Sequence, residues 1–134
     1  MTGLLVLIAA VLLTACAAWA ITSYNGRFGS RPATDVLTAD ELGSPLGEQA
    51  TLVQFSSAFC SPCRATRTLL LDVSGRLDGV AHVEIDAESH LDLVRRLDVM
   101  RTPTVLVLDA RGTIVRRASG LPRRDQVLAA LPPA

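Results

Sequence analysis

Hydrophobic and polar positions change their spacing several times along the chain, and each change marks a different element. From Leu4 to Ile21 no residue is charged, and only Thr14 and Cys16 break the apolar run. A helix of that length rises roughly 27 Å, close to the hydrocarbon core of a bilayer at about 30 Å. Trp19 and Tyr24 follow at the level where amphipathic rings meet headgroups, then Arg27 and Arg31. The expectation is one transmembrane helix over 1–24. A linker over 25–36 follows, broken by Gly26, Gly29 and Pro32, and then one domain over 37–134.

Within that domain, Thr38 and Glu41 form a helix-start pair, and Gly43 and Pro45 cut the helix short. Thr51 to Phe55 is a short, mostly apolar run suited to a buried strand. Cys63 to Arg76 has helical spacing, with Leu69, Leu70 and Val73 on one face and Gly75 near its end. From Ala81 to Asp86 the residues alternate, so Ala81, Val83 and Ile85 face one way and His82, Glu84 and Asp86 the other. A helix is expected over Leu91 to Leu97, and strands over Thr104 to Leu108 and Thr113 to Ala118, joined through a turn at Gly112. Pro122 is placed to open a last helix reaching Leu131. Strands joined through helices should pair in parallel and the last two as an antiparallel hairpin. The fold class is therefore α/β, a mixed central sheet flanked by helices and preceded by one transmembrane helix.

Composition narrows the function. The net charge is zero, with no basic stripe, so no nucleic-acid partner is expected. Three cysteines are too few for a disulfide-stapled framework, which makes Cys60 and Cys63 a site and not a staple. Leu13 to Cys16 resembles a bacterial lipobox, and Ala18-Trp19-Ala20 a signal-peptidase pattern. No basic side chain precedes the apolar run, and that run continues past Cys16 to Ile21, so a retained helix is the preferred reading. The chain is then a single-pass membrane protein. Its only flanking cations, Arg27 and Arg31, lie after the helix, which favours a cytoplasmic domain; lipobox processing would place the domain outside.

Phe59-Cys60-Ser61-Pro62-Cys63-Arg64 comes off a buried strand and opens a helix, and here the chain resembles the thioredoxin family, in particular membrane-anchored bacterial members. Forty residues after Cys63, Arg101-Thr102-Pro103-Thr104 resembles the family's cis-proline loop, and Gly112 and Gly120 fall where members carry glycine. The resemblance covers roughly residues 50–131. It implies a thioredoxin-like fold and a protein-disulfide oxidoreductase with catalytic Cys60, Cys63 and Pro103. The helix amino terminus would favour a thiolate on Cys60, which attacks a disulfide, and Cys63 would resolve the mixed disulfide. Phe59, Ser61, Pro62, Thr102 and Gly120 would contact substrate. Protein or small-molecule disulfides and an unidentified electron donor are the implied partners, with no cofactor and no metal.

Departures from the family pattern bear on the proton. Gln54 stands where the family usually has a buried aspartate that takes the proton of the second cysteine, and an amide cannot do so. Phe59 and Ser56 replace tryptophans, Thr68 replaces a kinking proline, and the family's opening strand and helix are short or absent. His82 lies at a strand position from which it could act as the surrogate, so Gln54 and His82 form a candidate proton relay; a half-buried structural histidine is the plainer alternative. Two other functions stay open: a persulfide or reductant carrier for one partner enzyme, and a metal module using Cys60, Cys63 and the histidines. Structural zinc usually takes four ligands in two separated pairs, which argues against the latter.

Overall fold

The computed structural model describes residues 1–29 and 35–134. Arg31 and the middle of the expected linker lie outside the described residues. The elements run α1 (Thr2–Tyr24), α2 (Ala39–Leu42), β1 (Ala50–Ser56), α3 (Ser61–Arg76), β2 (Val80–Asp86), α4 (Leu91–Arg96), β3 (Thr104–Asp109), β4 (Ile114–Ser119) and α5 (Arg124–Ala130). α1 is long and apolar enough to cross a membrane, and none of its residues is buried against the domain.

The sheet order is β2-β1-β3-β4. β1 and β2 pair in parallel through the α3 crossover, and β3 and β4 form the expected antiparallel hairpin. β3 departs from the sequence expectation: although a helix precedes it, it lies antiparallel to β1. The reason is length. α4 has six residues, a rise of about 9 Å, whereas a six-residue strand spans roughly 20 Å. The chain therefore re-enters the sheet from the edge at which β2 left it.

Strand alternation divides the core into two layers. Val53, Phe55, Val83, Ile85, Leu106 and Leu108 face α2 and α4, while Ala50, Leu52, Val105 and Val107 meet Leu70 and Val73 of α3 and Val127 of α5. The Thr38–Glu41 pair forms a full capping box on α2, which Gly43 ends. α5 begins later than the proline rule suggests: Arg123 is its N-cap, so Pro122 precedes the helix.

The chain on either side of the undescribed stretch is bonded to the β4 edge. The Gly26 N–H donates to the Ser119 carbonyl (2.7 Å), and Gly29 and Arg117 exchange both backbone bonds (2.8 and 3.2 Å). The Ile114 N–H donates to Asp35 (3.2 Å) and the Leu37 N–H to Gly112 (2.9 Å). Phe28 packs on the α3–α5 layer and Leu37 is fully buried in the other.

Candidate active site

β1 is buried along its whole length and delivers the chain to one edge of the sheet, where a short loop turns into α3. Phe59 adopts a left-handed backbone (φ 59°), and its ring is fully exposed. Cys60 is the N-cap of α3, half-buried, and Cys63 lies in the first turn, 2% exposed. The two are joined as a disulfide with their Cα atoms 5.3 Å apart. Ser61 and Pro62 are exposed between them, and Pro62 occupies a first-turn position where its missing N–H costs no helical bond. One sulfur is thus offered to solvent at a helix amino terminus, and the other is covered.

The second wall comes from the opposite strand. The Thr102–Pro103 peptide is cis, and Pro103 is buried. Ser57 and Thr102 share a hydroxyl–hydroxyl bond of 2.7 Å, which ties this loop to the cysteine loop. The Gly120 N–H donates to the Pro103 carbonyl (2.7 Å), and the Thr104 hydroxyl donates to Arg101 (2.5 Å). The expected contact residues Thr102 and Gly120 therefore flank Pro103.

Under the disulfide lies a polar cluster on the α3 face of the sheet. Gln54 is fully buried, and its Nε2 donates to the Cys63 carbonyl and to Ser56 Oγ, both at 2.9 Å. Its Oε1 lies 3.1 Å from His82 Nε2, so that ring nitrogen carries the hydrogen. Burial lowers the pKa of His82, an effect that Arg67 reinforces and Glu84 opposes. Glu84 is held below the usual carboxylate range, chiefly by the hydrogen bonds of its bidentate pair with Arg67. Gln54 and His82 do meet, and their link to the site runs through the backbone of Cys63 and not through its sulfur. His90 is apart from this cluster, exposed at the start of α4 with Nδ1 on the Asp86 carbonyl. Sequence reasoning missed two participants. Ser57 reaches Thr102 across forty-five residues, a tertiary contact that no local pattern announces. Asn25, read as linker, accepts from Arg101 Nη2 (2.6 Å) and lies against Gly120.

Comparison with known proteins fits this geometry. The thioredoxin family model matches residues 34–132. Thioredoxin domain-containing protein 2 of Mus musculus is 32% identical over 65 residues, 48% of this chain and 13% of that protein. The thioredoxin of Gallus gallus is 29% identical over 58 residues, 43% of this chain and 55% of that one. The chain thus spans little more than half, or less, of these relatives' length. Among solved structures, thioredoxin NaTrxh from Nicotiana alata superposes with a TM-score of 0.55 at 26% identity, covering 61% of this chain and 70% of that one. Thioredoxin F from spinach chloroplast, at 19% identity, shares the fold with a TM-score of 0.54 over 63% of this chain and 74% of that one. With its cysteine pair at a helix amino terminus beside a cis-proline loop, the chain belongs to the thioredoxin family.

Proposed function

We propose that the protein is a membrane-anchored thiol–disulfide oxidoreductase of the disulfide-reductase type. The observation that carries this reading is the asymmetry of the pair: Cys60 half-buried at the N-cap of α3, Cys63 2% exposed one turn on. In the reduced protein the Cys60 thiolate attacks one sulfur of a substrate disulfide, and the other leaves as a thiolate. Cys63, once deprotonated, attacks the Cys60 sulfur of the mixed disulfide and releases the second substrate thiol. Two electrons have then passed to the substrate, and the Cys60–Cys63 disulfide awaits a thiol donor. Phe59, Ser61, Pro62, Thr102 and Gly120 form the contact rim around Pro103. Gln54 cannot accept the proton of Cys63. In the candidate relay with Gln54, the neutral His82 has its Nε2 hydrogen committed to the amide, so Nδ1 is the ring atom left to take the proton, by a route other than the Gln54 bond.

Residues 1–24 act as the anchor and 37–134 as the redox domain, and Arg27 on the carboxyl flank favours a cytoplasmic placement. The absence of a carboxylate at position 54 also suits a slower, dedicated carrier serving one partner enzyme, with reductant or a persulfide on Cys60. Trapping tests the assignment. Cys63→Ser should accumulate mixed disulfides with clients and Cys60→Ser should not; accumulation that requires Cys63 reverses the roles.

A further inference from the structure

The end of α1 is fastened to the rim of the disulfide site with no slack between them. α1 closes at Tyr24, and the next side chain, Asn25, accepts from Arg101 Nη2 (2.6 Å), which also donates to the Ser119 carbonyl (3.1 Å). Gly26 is buried and bonded to Ser119 in its turn (2.7 Å). Its backbone is left-handed (φ 73°), and a Cβ there would lie 2.1 Å from the Leu121 carbonyl oxygen, so only glycine fits. On the other side of the contact, a Cβ on Gly120 would lie 2.7 Å from Asn25 Oδ1, and the Gly120 N–H holds the carbonyl of Pro103. One residue past the helix, the chain is thus two contacts from the cis-proline.

Topology places the disulfide on the same side. β1 ends, β3 begins and β4 ends at one edge of the sheet, where α3 starts with Cys60. The chain after α1 meets β4 at Ser119, at that edge; Gly29 bridges to Arg117 and Val36 to Thr113, each farther from that edge. A tether at the other edge would have put roughly 20 Å of strand between the membrane and the cysteines. Tyr24, with the Arg27 guanidinium 5.3 Å from its ring centroid, marks the headgroup level at the helix end. Exposed around the rim are Phe59 and Met100, and Arg101 stands beside Met100.

We infer that the Asn25–Gly26 clamp holds the Cys60–Cys63 rim at the membrane surface, and that its partner is an integral membrane protein presenting a disulfide at that same surface. This rests on α1 spanning the bilayer and on the oxidoreductase reading. In that placement a globular soluble protein would meet the bilayer before covering the rim, whereas a segment rising out of the bilayer would approach it from below. Confinement of both proteins to one plane also raises their effective concentration.

The test uses the full chain in liposomes. Its comparison variant carries about fifteen Gly/Ser residues inserted between Tyr24 and Asn25; the clamp stays whole and the domain is released from the surface. Retention in the pellet after alkaline carbonate establishes anchoring, and extraction overturns the proposal at its base. A fluorophore on Cys60, in a Cys16→Ser, Cys63→Ser background, should transfer energy to headgroup acceptors strongly with the native junction and weakly with the spacer. Equal transfer in both overturns the geometry. Two probes then compare one peptide disulfide, free in solution or displayed a few residues above a transmembrane helix. The ratio of membrane-probe to soluble-probe reduction should fall about tenfold on adding the spacer, and an unchanged ratio overturns the choice of partner. Turnover of neither probe, in liposomes and in detergent alike, overturns the oxidoreductase reading and the disulfide partner with it; the energy transfer decides the geometry independently.

Discussion

Replacing Gln54 with leucine keeps the volume of a fully buried side chain and removes its three hydrogen bonds. The partners do not all suffer equally. Ser56 still has Glu84 within reach, whereas the His82 Nε2–H loses its acceptor in a half-buried position. The bonds to Ser56 and to the Cys63 carbonyl contribute about 1 kcal/mol each, and the abandoned His82 donor costs about 1–3 kcal/mol, so the loss should be about 3–5 kcal/mol. The bond to the cysteine pair reaches the Cys63 carbonyl and not its sulfur. The loss should therefore be nearly the same in the oxidised and the reduced protein, and the reduction potential should move by less than about 30 mV, the equivalent of about 1.4 kcal/mol for two electrons. Urea unfolding of Gln54→Leu in both redox states, with the potential measured against glutathione, checks both parts. A loss confined to one redox state, or a larger shift in potential, would show that the amide acts on the sulfur, and the backbone account would fail.

Acid should weaken the fold through His82. Its folded pKa lies below the unfolded value of about 6.5, so the unfolded chain takes up the proton first and stability falls as pH drops below that value. His82→Gln should flatten the midpoint of thermal unfolding across that window, while the depressed Glu84 acts only further down, below the ordinary glutamate range. Gly26→Ala meets the Leu121 carbonyl at 2.1 Å from a left-handed backbone; detachment of the segment after α1, seen as faster proteolytic cutting between Asn25 and Leu37, is the expected result. A cutting rate equal to that of the native chain would mean that the clamp is dispensable.

The sequence was legible where side chains carry the signal and silent where the backbone does. Spacing alone located the Thr38–Glu41 capping box, because the reciprocal bonds need those two residues three apart. The alternation from Ala81 to Asp86 set His82 apart from the apolar face, and the family resemblance placed it near position 54, where it meets Gln54. Periodicity has no direction, however, so it could not tell that β3 runs against β1. Nor could it see the pairing of Gly26 and Gly29 with β4, which uses only peptide groups and leaves no mark on residue choice beyond glycine itself. The cysteine motif and Pro103 were readable as a resemblance. The fastening of Gln54 to the Cys63 carbonyl and of Ser57 to Thr102 depends on how the sheet brings distant residues together.

With α1 as the proposed anchor, the segment paired with β4 would also bear on how copies behave toward one another. Proteins confined to a membrane plane meet at high local concentration, and a bare strand edge is a template for pairing with the next copy. β4 is the outer strand of its side of the sheet, and its Ile114, Arg117 and Ser119 backbone groups are already occupied by Asp35, Gly29 and Gly26. The opposite outer strand, β2, presents Glu84 and Asp86 as exposed charges, which discourage a neighbour. A soluble fragment begun at Leu37 would discard the cover on β4 together with the Phe28 ring that packs beneath α5. Crowded at the concentrations of a crystallisation drop, such a fragment would offer its neighbours the edge that the intact chain keeps closed.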